Sequence, residues 1–195
     1  MFANRFTAFL DACVLVGALK RNLLLSLAEA KFFWVRWSEQ VLAEAERGIV
    51  RVLVVRNATD AKARATRVCG AMRRAFDDAP VDGWEPIAVG LTLPDPGDVH
   101  VLAAAIKTRA SIIVTDNLRD FPAEVLAPLD LEAKSADAFL ADTIDLDEAR
   151  AVVAVRTMRQ RFSRPGKTAE ALLLDMEAVG LVETVDVLRA HVRSL

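Results

Sequence analysis

The strongest constraint on this chain is an alternation of short apolar runs with helical-period segments of about a dozen residues. The stretch RFTAFLDACVLV (5–16) has a strand-like apolar core ending at Asp11, and LKRNLLLSLAEAKF (19–32) then repeats Leu and Ala at helical spacing. Ser38 is placed to cap the helix EQVLAEAERGI and Gly48 to stop it, and 58–79 reads as another, Ala-rich helix. EPIAVGLTLPDPGD (85–98) predicts a short strand and then a Pro/Gly/Asp loop, from which Asp98 opens the helix VHVLAAAIKTRA. SIIV (111–114) is the next strand. Such alternation builds crossover units and a parallel sheet covered on both faces, a three-layer α/β/α fold. Beyond Pro122 the pattern turns helical: 131–162 reads as helix with a break near 143–146, followed by two final helices. The expected organisation is an α/β domain over residues 1–136 and a C-terminal helical region over 137–195.

Composition narrows the function classes. Of 195 residues, 53% are hydrophobic and 27% charged, enough apolar material for a core. The longest apolar runs are too short to cross a bilayer, and no basic-then-apolar leader opens the chain, so a cytoplasmic protein is expected. Cys13 and Cys69 lack paired spacing and read as reduced thiols serving as small hydrophobes. A net charge of −2 excludes nucleic-acid binding by bulk charge alone. A phosphodiester ligand would need local arginines or metal ions.

Acids fall where an open parallel sheet binds ligands, at the carboxyl ends of its strands. Asp11 ends the first strand, Asp95 and Asp98 lie in the loop before the Ala-rich helix, and Asp116 and Asp120 follow SIIV with Asn117 between them. On the helix begun by Ser38, Glu44 shares the face of Val41, Ala45 and Gly48, whereas Glu39 and Glu46 point elsewhere. Carboxylates converging on one spot repel one another unless a hard divalent cation lies between them.

The blocks FLDACVLV, WSEQVLAEAERGI and LPDPGDVHVLAAAIKTRASIIVTDNLRDFP together resemble the PIN domain, in particular the VapC-like ribonuclease toxins of type II toxin–antitoxin systems. The resemblance spans roughly residues 5–125 and is most specific in the third block. It implies an acid cluster binding Mg²⁺ or Mn²⁺ and hydrolysis of RNA through a metal-activated water. The site residues it implies are Asp11, Glu44, Asp98, Asp116 and Asp120, with Asp11, Asp98 and Asp116 as metal ligands, Asp116 the closer of the last pair, and Asp95 and Asn117 as additional candidates. It further implies an antitoxin partner and a homodimer. Cys13 stands where many members carry Asn, a departure that removes no acid.

Plainer roles compete. Asp98 is well placed as a helix cap, and Asp120 before Phe121-Pro122 as a turn residue. His100, on an apolar helix, reads as a packed and satisfied histidine, and His191 as a cation favoured by a helix C-terminus. Trp34 and Trp37 read as packing residues. Arg156, Arg159, Arg161, Arg164 and Lys167 form a basic stretch that is by default a solvated face; Arg156 and Arg159, with Arg119, are the candidates for RNA contact. Two other functions remain on the sequence alone: a catalytically silent binding module on the same fold, and a receiver-like Mg²⁺-binding phosphoacceptor domain. The second lacks the Lys it needs at the exit of SIIV.

Overall fold

A computed structural model describes residues 6–162 and 166–195; Arg164 lies outside them. The chain runs β1 (Thr7–Leu10), α1 (Ala12–Val16), α2 (Ala18–Glu29), β2 (Trp34–Arg36), α3 (Glu39–Val55), α4 (Ala61–Ala75) and α5 (Glu85–Ala88). It continues through α6 (Val99–Lys107), β3 (Ile112–Val114), α7 (Ala123–Leu126) and β4 (Glu132–Lys134). Four helices follow: α8 (Ala136–Asp145), α9 (Glu148–Gln160), α10 (Ala169–Ala178) and α11 (Val182–Arg189).

Two compact units result, one of residues 1–17 and 34–134, the other of 18–33 and 135–195. The first holds a sheet of order β2-β1-β3-β4, every pair parallel. Parallel strands need crossover helices on their faces, and this α/β/α arrangement is the expected one. From β1 the chain steps to β2 on one side and later crosses to β3 on the other. The carboxyl ends of β1 and β3 therefore flank a topological switch point, where such sheets bind ligands. Phe9, Leu10, Ile113 and Val114 fill the sheet's interior, and α6 buries His100 through Ala105 because its alanines allow close approach.

Four local expectations need correction. EPIA, read as a strand, forms the short helix α5, with Pro86 in its first turn. Gly48 does not stop α3, which continues to Val55; a Cβ at Gly48 would overlap Val16 Cγ2, so this glycine is where α1 and α3 touch. The strands β2 and β4 carry no period-2 signal of their own over three residues; β4 was read as helix, and pairing with β3 holds it. The break between α8 and α9 falls at Leu146 and Asp147, just past the expected place.

The second unit gathers α2 with α8–α11. Phe33 meets Phe139 edge-on at 4.9 Å, and the Arg150 guanidinium lies 4.2 Å from the centre of the Phe32 ring. Asp137 on α8 caps another helix at a distance in sequence: its carboxylate accepts from Glu183 N, Thr184 N and Thr184 Oγ1 at the start of α11. Among the described residues no helix is long and apolar enough to cross a membrane.

Candidate active site

Asp11 is held more firmly than any other acid of the first unit. It continues the sheet, its N–H bonding Val114 O at 3.0 Å, and then caps α1, its Oδ1 accepting from Ala12 N at 2.5 Å. Its Oδ2 accepts from Thr115 Oγ1 at 2.7 Å and from Cys13 Sγ at 3.0 Å. With 4% exposure, this carboxylate depends on those donors. Cys13 is thus more than a small hydrophobe. Burial, foremost, and the Asp11 charge push its thiol up to about 12, so it stays protonated and donates.

The exit of β3 closes against the same place. Asp116 N donates to Cys13 Sγ at 3.3 Å and Asn117 N to Thr115 Oγ1 at 3.1 Å, which leaves Asp116 and Asn117 exposed. The 3₁₀ turn Leu118–Asp120 then returns Asp120 to a side-chain exposure of 15%, where Oδ1 lies 3.6 Å from Nε of the outward-facing Arg119. Asp120 is thus a turn residue whose side chain is largely buried.

Asp98 shows where the charges meet. Its carboxyl is pushed up from 3.8 to about 6, first by burial and then by Asp11, Asp95, Asp120 and Glu44. Four carboxylates from four segments thus act on a fifth. Asp116 is not among them. Nor does the Asp98 side chain cap α6, for it makes no capping bond; Asp95 caps only the preceding 3₁₀ turn Pro96–Asp98, accepting from Gly97 N at 2.8 Å. Glu44 projects from α3 as its helical phase requires. Its Oε1 lies 3.3 Å from His100 Nε2, 3.4 Å from Gln40 Nε2 and 3.8 Å from Arg47 Nη2.

His100 departs from expectation. It is 5% exposed, yet neither ring nitrogen has a hydrogen bond of good geometry, the Glu44 contact being close but misaligned. Burial holds its pKa below the ordinary value despite Glu44 and Asp11, which leaves a neutral imidazole against Trp84 at 5.8 Å.

Other candidates find structural employment. Arg156 Nε donates to Ser194 O and Arg159 Nε to Leu195 O at 3.1 Å, so both tie down the C-terminus. His191 lies beyond the end of α11 and pairs with Glu148 at 2.6 Å instead of serving the helix terminus. Trp37 is fully buried, whereas Trp34 is 40% exposed. Sequence reasoning missed Thr115, although a short polar residue directly after an apolar strand was a usable signal, and it missed the approach of His100 to Glu44.

Among the described residues no three Asp, Glu, His or Cys side chains stand close enough to form a ready metal cage. The donor set nonetheless fits a hard divalent cation: all-oxygen, partly desolvated and self-repelling. A parallel sheet with acids at its switch point defines a carboxylate-lined α/β site. The PIN domain family model matches residues 7–119, and the chain belongs to that family. Behind it, the model of the VapC50 C-terminal domain matches residues 136–190, so the order is that of a VapC-like PIN protein with a helical extension. A similar protein of Mycobacterium tuberculosis (strain ATCC 25618 / H37Rv), named "Putative ribonuclease VapC50", is 41% identical over 76 residues, 39% of this chain and 45% of that protein. The match thus spans less than half of the relative's length. No solved structure matches the chain.

Proposed function

We propose that this protein is a divalent-metal-dependent endoribonuclease and the toxin of a toxin–antitoxin pair. The observation that carries the reading is the convergence of Asp11, Asp95, Asp120 and Glu44 on the half-buried Asp98, whose carboxyl is raised to about 6 first by burial and then by these four charges, a cost that a cation would reduce. Family membership and the name of the M. tuberculosis relative support the choice of RNA. Asp11, Asp98 and Asp120 would hold Mg²⁺ or Mn²⁺, with Glu44 and Asp95 at the rim and Asp116 available from the exposed side. The bound ion would supply Lewis acidity toward a phosphodiester oxygen and acidify water near neutral pH.

The chain's own residues prepare this. Thr115 and Cys13 occupy both lone-pair sites of Asp11 Oδ2 and Ala12 N one of Oδ1, so Oδ1 keeps an acceptor site that a cation could use. Asp98, raised first by burial and then by its acidic neighbours, would be held ionised by a nearby cation, whose charge opposes both effects. Arg119, with a side chain 90% exposed and only a 3.6 Å contact to Asp120, is free to turn toward a phosphate.

The test is incubation of purified protein with mixed RNA in Mg²⁺, Mn²⁺ or EDTA, beside Asp11→Asn. Cleavage in either metal, lost in EDTA and in the variant, is expected. Persistence in EDTA, or an unaffected variant, would sink the mechanism; no cleavage of any RNA would make the protein a silent binding module. Growth arrest on induction of the wild type alone, relieved by a co-expressed antitoxin, tests the toxin role separately.

A further inference from the structure

The half of α3 beyond Glu44 carries a pattern the acid site does not explain. From Arg47 to Thr59 the chain holds Arg47, Arg51 and Arg56 and no acid, in a protein of net charge −2. Arg47 and Arg51 follow Glu44 by three and seven residues, within about 60° and 20° of its direction and about 4.5 and 10.5 Å along the axis. The three side chains therefore form one stripe that starts at the carboxylate site.

The stripe is open. On α3, α4 packs against the flank of Leu42, Glu46 and Ile49, with Cys69 Sγ reaching Leu42 O at 3.8 Å and Thr66 Oγ1 reaching Glu46 at 2.6 Å. On the other side α1 abuts Gly48. The Arg47 side chain is 64% exposed and its carboxylate partner is Glu44 at the loose distance of 3.8 Å. Arg51 is exposed and makes no ion pair among the described residues, and Val55 beyond it is 82% exposed. Helical side chains lean toward the N-terminus of their helix, so both guanidinium groups lean back toward Glu44.

We propose that Arg47 and Arg51 form a phosphate-binding ridge that holds the RNA backbone as it enters the carboxylate pocket. The inference rests on the nuclease reading and extends it to a backbone subsite on α3. Guanidinium forks suit phosphate, and arginine contacts to a backbone position a strand without reading its sequence. The 10.5 Å reach of the stripe corresponds to roughly three nucleotides of a stacked strand at about 3.4 Å each. Arg47 would exchange its loose contact with Glu44 for a phosphate oxygen; Arg51 would engage a phosphate farther out.

The experiment uses the full chain with a labelled single-stranded RNA 20-mer and a dinucleotide. Cleavage is followed in Mg²⁺, and binding in an Asp98→Asn background across a KCl series. Arg51→Ala is expected to raise KM for the 20-mer about 3- to 10-fold with kcat within twofold, and to leave the dinucleotide unaffected because it is too short to reach. In Arg47→Ala/Arg51→Ala the slope of log K against log salt becomes shallower by about 0.7 per arginine removed. Arg51→Lys keeps most of the slope. Unchanged KM and slope in the double variant, with thermal unfolding also unchanged, overturns the ridge while leaving the nuclease reading intact. A wild type that neither binds nor cleaves RNA overturns both. Loss of binding to a poly-glutamate peptide with RNA binding intact would assign the stripe to an acidic protein segment and likewise refute the proposal.

Discussion

Replacing Asp98 by Asn should stabilise the metal-free protein at alkaline pH and blunt its response to Mg²⁺. The folded-state pKa of Asp98 lies above its unfolded value, so the favourable contribution belongs to the protonated form. That contribution is complete below about 3.8 and is lost as pH rises through about 6. At 1.36 kcal/mol per pH unit the difference from 3.8 to about 6 amounts to about 3 kcal/mol. Asp98 is only half-buried, and solvent screening reduces this to about 1–2 kcal/mol. No capping bond is sacrificed, since the Asp98 side chain makes none. Asn removes the charge at nearly constant shape, so the gain should appear as a rise in Tm of about 3–6 °C for a chain of this size at pH 8.

The assay is thermal unfolding of wild type and Asp98→Asn at pH 8 and pH 4.5, each with and without Mg²⁺. At pH 4.5 the advantage of the variant should shrink to about a third, because Asp98 is then protonated in the folded wild type. Mg²⁺ at about ten times its Kd should stabilise the wild type by about 1.4 kcal/mol, and the variant much less. A variant no more stable than wild type at pH 8, or equally favoured at both pH values, would refute the electrostatic account. A variant that responds fully to Mg²⁺ would remove Asp98 from the ion's coordination.

Gly48→Ala should lower stability by about 1–2 kcal/mol in a thermal melt, although Ala is the better helix former, because the new Cβ meets Val16 Cγ2; adding Val16→Ala should restore most of it. Asp137→Ala leaves Glu183 N and Thr184 N without their acceptor and the buried Thr184 hydroxyl with only the backbone carbonyl of residue 137 at 3.3 Å, and should lower stability by about 1–3 kcal/mol, a loss that an unchanged melt would contradict. With its thiol pushed up to about 12, Cys13 has about a thousandfold less thiolate than an ordinary cysteine, so native protein should resist iodoacetamide at pH 8 while urea-unfolded protein reacts promptly; rapid native labelling at Cys13 would argue against the hydrogen bond to Asp11.

What the sequence made legible follows from the range over which each signal acts. Apolar runs such as SIIV and the Ala-rich helix behind Asp98 are local patterns, and β3 and α6 stand where those patterns put them. The phase of α3 is equally local, which is why Glu44 could be separated from Glu39 and Glu46. The edge strand β4, with the sequence Glu-Ala-Lys, has no such signal; its conformation is decided by hydrogen bonds to β3, and those belong to the whole sheet. Thr115 lies 104 residues from the Asp11 it supports, and spacing could not announce that. Nor could it show that Asp120, and not Asp116, joins the acids acting on Asp98.

That convergence is also the part of the molecule least explained by stability. Several other acids are matched: Glu39 takes the Arg73 guanidinium at 2.6 Å, Glu46 the Thr66 hydroxyl, and Asp137 three donors at the start of α11. Asp98 has no donor among the described residues and four like charges around it. Asn or Ser here would cost no helix cap, since α6 does not use this side chain as one. Local conflict of this kind is expected where function outweighs stability, and an all-oxygen acid cluster relieves its conflict by binding a cation. The two loosely held guanidinium groups at its rim, Arg47 at 3.8 Å from Glu44 and Arg119 at 3.6 Å from Asp120, then have a common logic. Each contacts a carboxylate of the cluster only loosely, and under the proposed function each would be free to turn toward a phosphate.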